Sequence, residues 1–391
     1  MSGRTLLTDE LLEAIRERAP RHDRENTFPH DDMADLRAVG YFSALVPEEF
    51  GGKGLTLQEV SHEQMRLAGA SAATALAVNM HHVWVAVARQ LHARGDVDEA
   101  GKAIARTIFQ DVVAGEVYAF GISEPGNDLV LFGSQSDATP DGAGGFSFTG
   151  TKIFTSGSPA WTRLGTFGTD RSDPDQPMSV FGFITRDGGG VTVKDDWDTL
   201  GMRASQSCTT ILDGAHAPAE RIACRIAPGP TAHPFVFGIF SAFILLTSSV
   251  YVGVAQRALN LAIATTRART SAKNAGAAYS QDPDKRRRIA HMAIAVDGLS
   301  PQLDLATADI DAQVDRGPVW MPQLSAIKYR VTESVVEIVA TAMKASGGGS
   351  FFTKSELSRI YRDALAGVFH PTSEDAAHAA WATVALGPVE P

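Results

Sequence analysis

The chain has 391 residues, 44% of them hydrophobic and 20% charged, with a formal net charge of −10. This length exceeds one usual core, so two or three packed units are expected, and the acidic balance argues against nucleic acid as a partner. Two cysteines, Cys208 and Cys224, are too few for a disulfide framework, no Cys/His cluster has metal-ligand spacing, and the first residues hold no apolar run of signal-peptide length, so a metal-free cytoplasmic protein is expected.

Residues 8 to about 113 read as helices. Thr8 precedes a periodic run with Leu11, Leu12 and Ile15, and a second helix over 31–39 stops at Gly40. Thr56 to Glu59 forms a capping-box pattern for a third. A long helical segment then passes through His81 and His82 to Gly95; the two histidines either face a ligand pocket or serve the packing. Near Glu116 the period changes to two. Short β-branched and aromatic runs broken by Gly, Pro and Asp continue to about 226, which predicts a compact antiparallel β domain, barrel or sandwich, with a turn or loop over 138–145.

Beyond a linker at 228–233 the chain is helical again. Pro234 to Gln256 contains no charge and is long enough for a membrane span. Its interruptions by Gly238, Ser241, Ser248, Ser249 and Gly253 favour a central helix buried in a soluble bundle, running to about 270. A second helix opens near Asp284 and meets Pro301. A third runs over about 323–345 and ends at Gly347, Gly348 and Gly349. Thr353 to Glu356 repeats the capping-box pattern for a helix to about Leu365.

Two stretches stand out chemically. Ala119 to Asp128 (AFGISEPGND) and Lys152 to Pro159 (KIFTSGSP) look like strands ending in hydroxyl and glycine residues. Such ends are ordinary turn chemistry, or they let a backbone approach a flat ligand beside Phe120 and Phe154. The first resembles A-x-x-[ST]-E-P-G-x-G-S-D of the acyl-CoA dehydrogenase superfamily, and the second its K-x-[WF]-[IT]-[ST]-x-G. Val46 to Gly52, Gly201 to Arg203 with Pro218 to Arg221, Gly347 to Gly349 and Tyr361 to Ala364 resemble further blocks in the same order.

The resemblance implies an N-terminal helical domain (1–115), a middle antiparallel β-barrel domain (116–228) and a C-terminal four-helix bundle (229–391). It implies a flavin oxidoreductase, with FAD or alternatively FMN. Phe120, Ile122, Ser123, Phe154, Thr155 and Ser156 would lie along the ring, and Arg267, Gly347 and Gly348 at its far end. His81, His82, Trp84 and Phe243 would shape a small-molecule pocket. A homotetramer or dimer is expected by the same resemblance, as is a flavin reductase or an electron-transfer partner.

Departures from the pattern refine the expectation. The dehydrogenases' glutamate base, in Y-E-G-T-S after R-D-A, falls here on His370 or Pro371, with Glu374 a few residues on. Its alternative position on the first C-terminal helix falls near Phe243, so neither count finds a carboxylate. His370 becomes the candidate acid or base, suited by an ordinary pKa near neutrality, unless it only caps the preceding helix. His370-Pro371 also resembles the end of the dibenzothiophene-monooxygenase-type branch. The shortened Gly126-Asn127-Asp128 and the missing R-x-x-F-G after Arg267 weaken the case for CoA and for FAD. A flavin monooxygenase performing hydroxylation or N-oxidation is the first reading. An acyl-thioester dehydrogenase using His370 or Glu374, with CoA or a carrier protein, is the second, and a non-catalytic scaffold the third.

Overall fold

The computed structural model describes residues 4–389. Five helices come first: α1 (Asp9–Glu25), α2 (His30–Ala38), α3 (Leu57–Ala70), α4 (Ala72–Ala93) and α5 (Glu99–Val113). The Thr8 hydroxyl accepts from Leu11 N, and Thr56 with Glu59 closes a reciprocal capping box, so N–H groups without helical partners are satisfied at both starts. α4 is buried along nearly its whole length, as its all-round apolar sequence requires.

The middle unit is a sheet of β1 (Tyr118–Gly121), β2 (Asp137–Pro140), β3 (Phe146–Lys152), β4 (Arg163–Asp170), β5 (Met178–Thr185), β6 (Val191–Val193), β7 (Thr210–Ala217) and β8 (Ile222–Ile226). The strand order is β6-β7-β3-β2-β4-β5-β8, and β1 also pairs with β4. The expected antiparallel barrel is corrected on two points. β1 and β2 run parallel to β4, and the sheet stays open. One end strand, β6, has only three residues, and the other, β8, lies against α5, so no edge pair closes the ring.

Period-two alternation decides which side chains leave this unit. Ala119, Val180 and Ile184 turn into a small core with Phe146, Phe148 and Leu212. Phe120, Phe181 and Phe183 turn the other way and join the main core with Trp84 and Phe235.

The C-terminal helices are α6 (Pro234–Ala268), α7 (Pro283–Asp297), α8 (Ser300–Asp311), α9 (Trp320–Ser346), α10 (Glu356–Leu365) and α11 (Glu374–Leu386). α6 is long and apolar enough to cross a membrane, yet 94% of its most apolar window is buried inside the protein. Its small residues are contact points. A Cβ at Gly253 would lie 2.1 Å from the Met65 carbonyl oxygen of α3, and Ser249 Oγ meets Ser61 Oγ at 2.7 Å.

Two helix boundaries differ from expectation. Pro301 does not end α7; it occupies the first turn of the separate helix α8, where its missing N–H has no partner to lose. The Thr353–Glu356 box does not form either. α10 starts at Glu356, the Ser355 side chain makes no capping bond, and the Glu356 carboxylate is held instead by Arg257 at 2.7 and 2.8 Å.

The three units meet at one knot. Arg362 of α10 pairs with Asp23 of α1 and donates to Leu200 O at 2.9 Å; Asp363 accepts from Met202 N at 2.7 Å. Burial raises the Asp363 carboxyl to about 6, against the lowering pull of Arg359. That is above its ordinary 3.8, so the folded protein keeps a proton that the unfolded chain has lost. Stability from this group is complete below the ordinary value and is lost as pH rises through about 6.

Asp363→Asn should therefore gain on the native protein by about 1–3 kcal/mol as pH is raised across this window, read from melting curves; a constant gap would count against the assignment. Gly253→Val should destabilise by ~1–3 kcal/mol through overpacking at the α3–α6 contact, measured by denaturant unfolding.

Candidate active site

The two chemically distinctive stretches are clamped together by one buried pair. Glu124, just past β1, and Lys152, the last residue of β3, are both withdrawn from water, with Lys152 Nζ 2.6 Å from Glu124 Oε1. Glu124 also accepts from Ser134 Oγ and Ser136 Oγ at 2.6 Å, Gln135 N at 2.7 Å and Asn127 Nδ2 at 2.7 Å. Burial would raise the Glu124 pKa, but the Lys152 ammonium and these donors hold it down at about 2. Burial lowers Lys152 to about 8, so the pair stays ionised at neutral pH. Ile153 N donates to Ser123 O at 2.9 Å and fixes the register of the two stretches.

Beyond Lys152 the chain leaves the sheet and builds a shelf. Phe154 adopts a left-handed φ of 57°, which turns its ring outward at 57% exposure, edge-on to Trp197. Thr155 Oγ1 is buried without a partner. Ser156 Oγ meets Ser207 Oγ at 2.8 Å, and Ser207 meets Ser205 at 2.8 Å. Gly157 N and Ser158 N donate to Ser205 O and Gln206 O. The wall is thus completed by Ser205 to Ser207, which sequence reasoning passed over; its only signal was a small polar run after Arg203.

From β1 an aromatic chain crosses to the C-terminal helices. Trp84 lies 5.3 Å from Phe120, and Phe120 stacks on Phe243 at 5.3 Å and 22°. Phe243 lies 6.4 Å from His370, and His370 Nε2 is 2.8 Å from Tyr251 Oη. Tyr251 lies on α6 and was not foreseen. Burial, then the nearby Lys328 ammonium, push the His370 pKa down to about 3. This corrects the expectation of a histidine titrating near neutrality. The imidazole is neutral, and a Tyr251 hydroxyl donating to Nε2 would leave the ring proton on Nδ1.

A cavity of about 1360 Å³ opens between α4, the start of α6 and the start of α9. Arg89, Gln90, Phe237, Trp320, Ser325 and Thr372 are among its lining residues. Arg89 donates to Leu45 O at 3.3 Å, and Gln90 Nε2 is buried without a partner.

Other expected residues lie elsewhere. His81 is fully buried; Nε2 bonds Phe42 O at 2.9 Å and Nδ1 accepts from Tyr118 N at 3.1 Å. Burial brings it to about 4 despite the bond to Phe42. It is a strut between α4 and β1 rather than a pocket residue. His82 is also fully buried, edge-on to Tyr41, with neither ring nitrogen bonded and its pKa driven down by burial and by His81. Trp84 anchors Ala119 O at 2.8 Å. Arg267 is exposed, whereas Arg269 reaches the glycine turn and donates to Ser346 O at 2.7 Å. Glu374 is exposed in the first turn of α11.

Residues 4–100 match the family model described as acyl-CoA dehydrogenase, N-terminal domain, and residues 245–374 the model for the C-terminal domain of the same family. The chain belongs to the acyl-CoA dehydrogenase superfamily. Within the superfamily, L-evernosamine nitrososynthase from Micromonospora sp. is 29% identical over 375 residues, covering 94% of this chain and 86% of that protein. Dibenzothiophene monooxygenase from Rhodococcus qingshengii is 24% identical over 371 residues, covering 90% and 86%. The solved structure of KijD3 in complex with FMN and dTDP-3-amino-2,3,6-trideoxy-4-keto-3-methyl-D-glucose matches with a TM-score of 0.86 at 29% identity, covering 98% of this chain and 94% of that one.

The superfamily's flavin ring suits what this chain presents: an outward aromatic face at Phe154, an orphaned buried hydroxyl at Thr155 and the Ser156 hydroxyl beside it. Glu124→Gln would leave Lys152 buried without its counter-charge, and should destabilise by about 3–5 kcal/mol. Chemical unfolding measures this, and a loss below ~1 kcal/mol would show that the clamp is not the support of the shelf.

Proposed function

We propose that this protein is a flavin-dependent monooxygenase acting by hydroxylation or N-oxidation on a small organic substrate. The observation that carries the reading is the group at the reacting end of the aromatic chain. It is a neutral histidine bonded to a tyrosine, His370 with Tyr251. Proton abstraction beside a thioester needs a strong enough base, and an imidazole whose pKa is held at about 3 is a weak one. Glu374, the carboxylate nearest in sequence, is exposed on α11.

Phe120, Ile122, Ser123, Phe154, Thr155 and Ser156 would hold the flavin ring, and Arg269 with Gly347 and Gly348 its far end. FMN is the favoured flavin, supported by the FMN in the KijD3 complex and by the absent R-x-x-F-G motif. When bound and reduced, the flavin supplies two electrons with which one atom of dioxygen enters the substrate and the other leaves as water. Tyr251 holds the His370 ring so that Nδ1–H faces the reaction as a fixed neutral donor. The Phe120–Phe243 stack keeps water from the space beside it.

Nucleotide-linked amino sugars are the substrate class to test first. KijD3 holds one, and the cavity here exceeds the roughly 300–1,000 Å³ usual for small ligands. A cytoplasmic homo-oligomer served by a flavin reductase completes the reading. Exposed Phe351 and Phe352 beside the glycine turn support contact with a second copy.

The test supplies FMN, a flavin reductase with NADH, and ¹⁸O₂, and looks for one labelled oxygen in the product of a dTDP-amino sugar. His370→Ala should lower turnover on the order of 10²–10³-fold, as loss of one fixed donor does, while FMN affinity stays within about threefold. Full activity in that variant would remove His370 from the chemistry. Oxidation of an acyl thioester with an artificial acceptor, without labelled oxygen, would replace the monooxygenase by a dehydrogenase.

A further inference from the structure

Charged groups withdrawn from water in this protein have partners close by. Lys152 has Glu124, Asp363 has Met202 N, and Asp32 has Arg18. Lys328 is different. It lies in the first half of α9 and is 2% exposed. Among the described residues its ammonium has no hydrogen-bond acceptor and no carboxylate within ion-pair distance; Glu333 acts on it only from further away. Burial brings Lys328 down to about 8, so it still carries its charge at neutral pH. A buried, unpaired cation is costly in the ligand-free protein.

Its position indicates what could offset that cost. Met321, Ser325, Lys328 and Thr332 share one face of α9 by their spacing. Met321 and Ser325 line the large cavity. One turn further, Thr332 and Tyr251 close around Gly367, where an added Cβ would lie 3.0 Å from each. Lys328 therefore stands between the cavity and the His370–Tyr251 pair, and its charge is felt at His370. Thr372 lines the same cavity, and its hydroxyl is buried with no partner. The cavity wall thus carries Ser325 and the free Thr372 hydroxyl, and one turn behind Ser325 stands the Lys328 ammonium, close enough for its charge to act on His370 and with no acceptor or carboxylate paired to it.

We infer that Lys328 is the cationic anchor of an oxyanion subsite at the inner end of the cavity, with Thr372 Oγ1 and His370 Nδ1–H as its further donors. The subsite takes an anionic oxygen, carried by the substrate or by the ring of the reduced flavin. The identity of that carrier rests on the flavoprotein reading above, whereas the subsite is tested by binding alone.

The experiment compares the full-length native protein with Lys328→Met. Melting temperature is measured without ligand, and calorimetry gives the affinities for oxidised FMN, anaerobically reduced FMN and dTDP. The ligand-free variant should melt at the same or a higher temperature, because an uncompensated buried charge has been removed. Oxidised FMN should bind within about threefold of native. Either reduced FMN or dTDP should weaken by tenfold or more: the first outcome assigns the anion to the flavin ring, the second to the substrate. Lys328→Arg should restore the weakened affinity, which a merely structural role would not require. Should the methionine variant fail to fold, Lys328→Gln is read in the same way. Unchanged affinities for both ligands overturn the inference. A protein that shows these affinity losses yet inserts no ¹⁸O overturns only the monooxygenase reading.

Discussion

A carboxylate and an ammonium withdrawn from water, Glu124 and Lys152, are the constraint on which the site depends. Neither could stay buried alone, so the loop after β1 and the end of β3 must meet with their backbones in register. Ser134, Gln135 and Ser136 are drawn in as donors to the same carboxylate. Once this hub is formed, the outward turn at Phe154 and the hydroxyl wall of Ser156, Ser205 and Ser207 have a rigid base. A shelf for a flat ring can then be built from irregular chain.

The opposite wall uses burial to a different end. His370 and His81 are both kept neutral, yet they serve different purposes. His81 has both nitrogens engaged by backbone and joins two units. His370 has one nitrogen engaged by Tyr251 and one proton left to offer. Lys328 nearby disfavours the imidazolium and leaves an unpaired positive charge in the same region. The result is a region rich in donors, suited to a partner that brings negative charge.

The motif blocks that mark the superfamily in this sequence are largely places where units touch. Arg362 and Asp363 of α10 grip Asp23 and Met202, and Gly201 admits the Arg362 carbonyl where a Cβ would lie 2.1 Å away. These residues hold the sheet against both helical units, and reach the shelf only through Met202 O, which accepts from Ser205 N at 3.0 Å and Trp197 Nε1 at 3.2 Å. Their legibility therefore carried the fold further than it carried the chemistry.

Local chemistry in the sequence determined the helix starts at Thr8 and Thr56, the change to period two near Glu116, the buried character of α6 and the two stretches around Ser123 and Ser156. These follow from capping, periodicity and turn preferences that act over a few residues. The open edge of the sheet, the failed box at Glu356 and the new helix at Pro301 depended on partners far along the chain, which local rules do not contain. The same holds at the site. Tyr251, Lys328 and Ser207 are ordinary residues in their own segments, and His81 could be read from the sequence either as a pocket residue or as packing. Only tertiary packing decided which histidine kept a free proton and which lysine was left without a counter-charge, because desolvation and pairing are properties of the assembled interior.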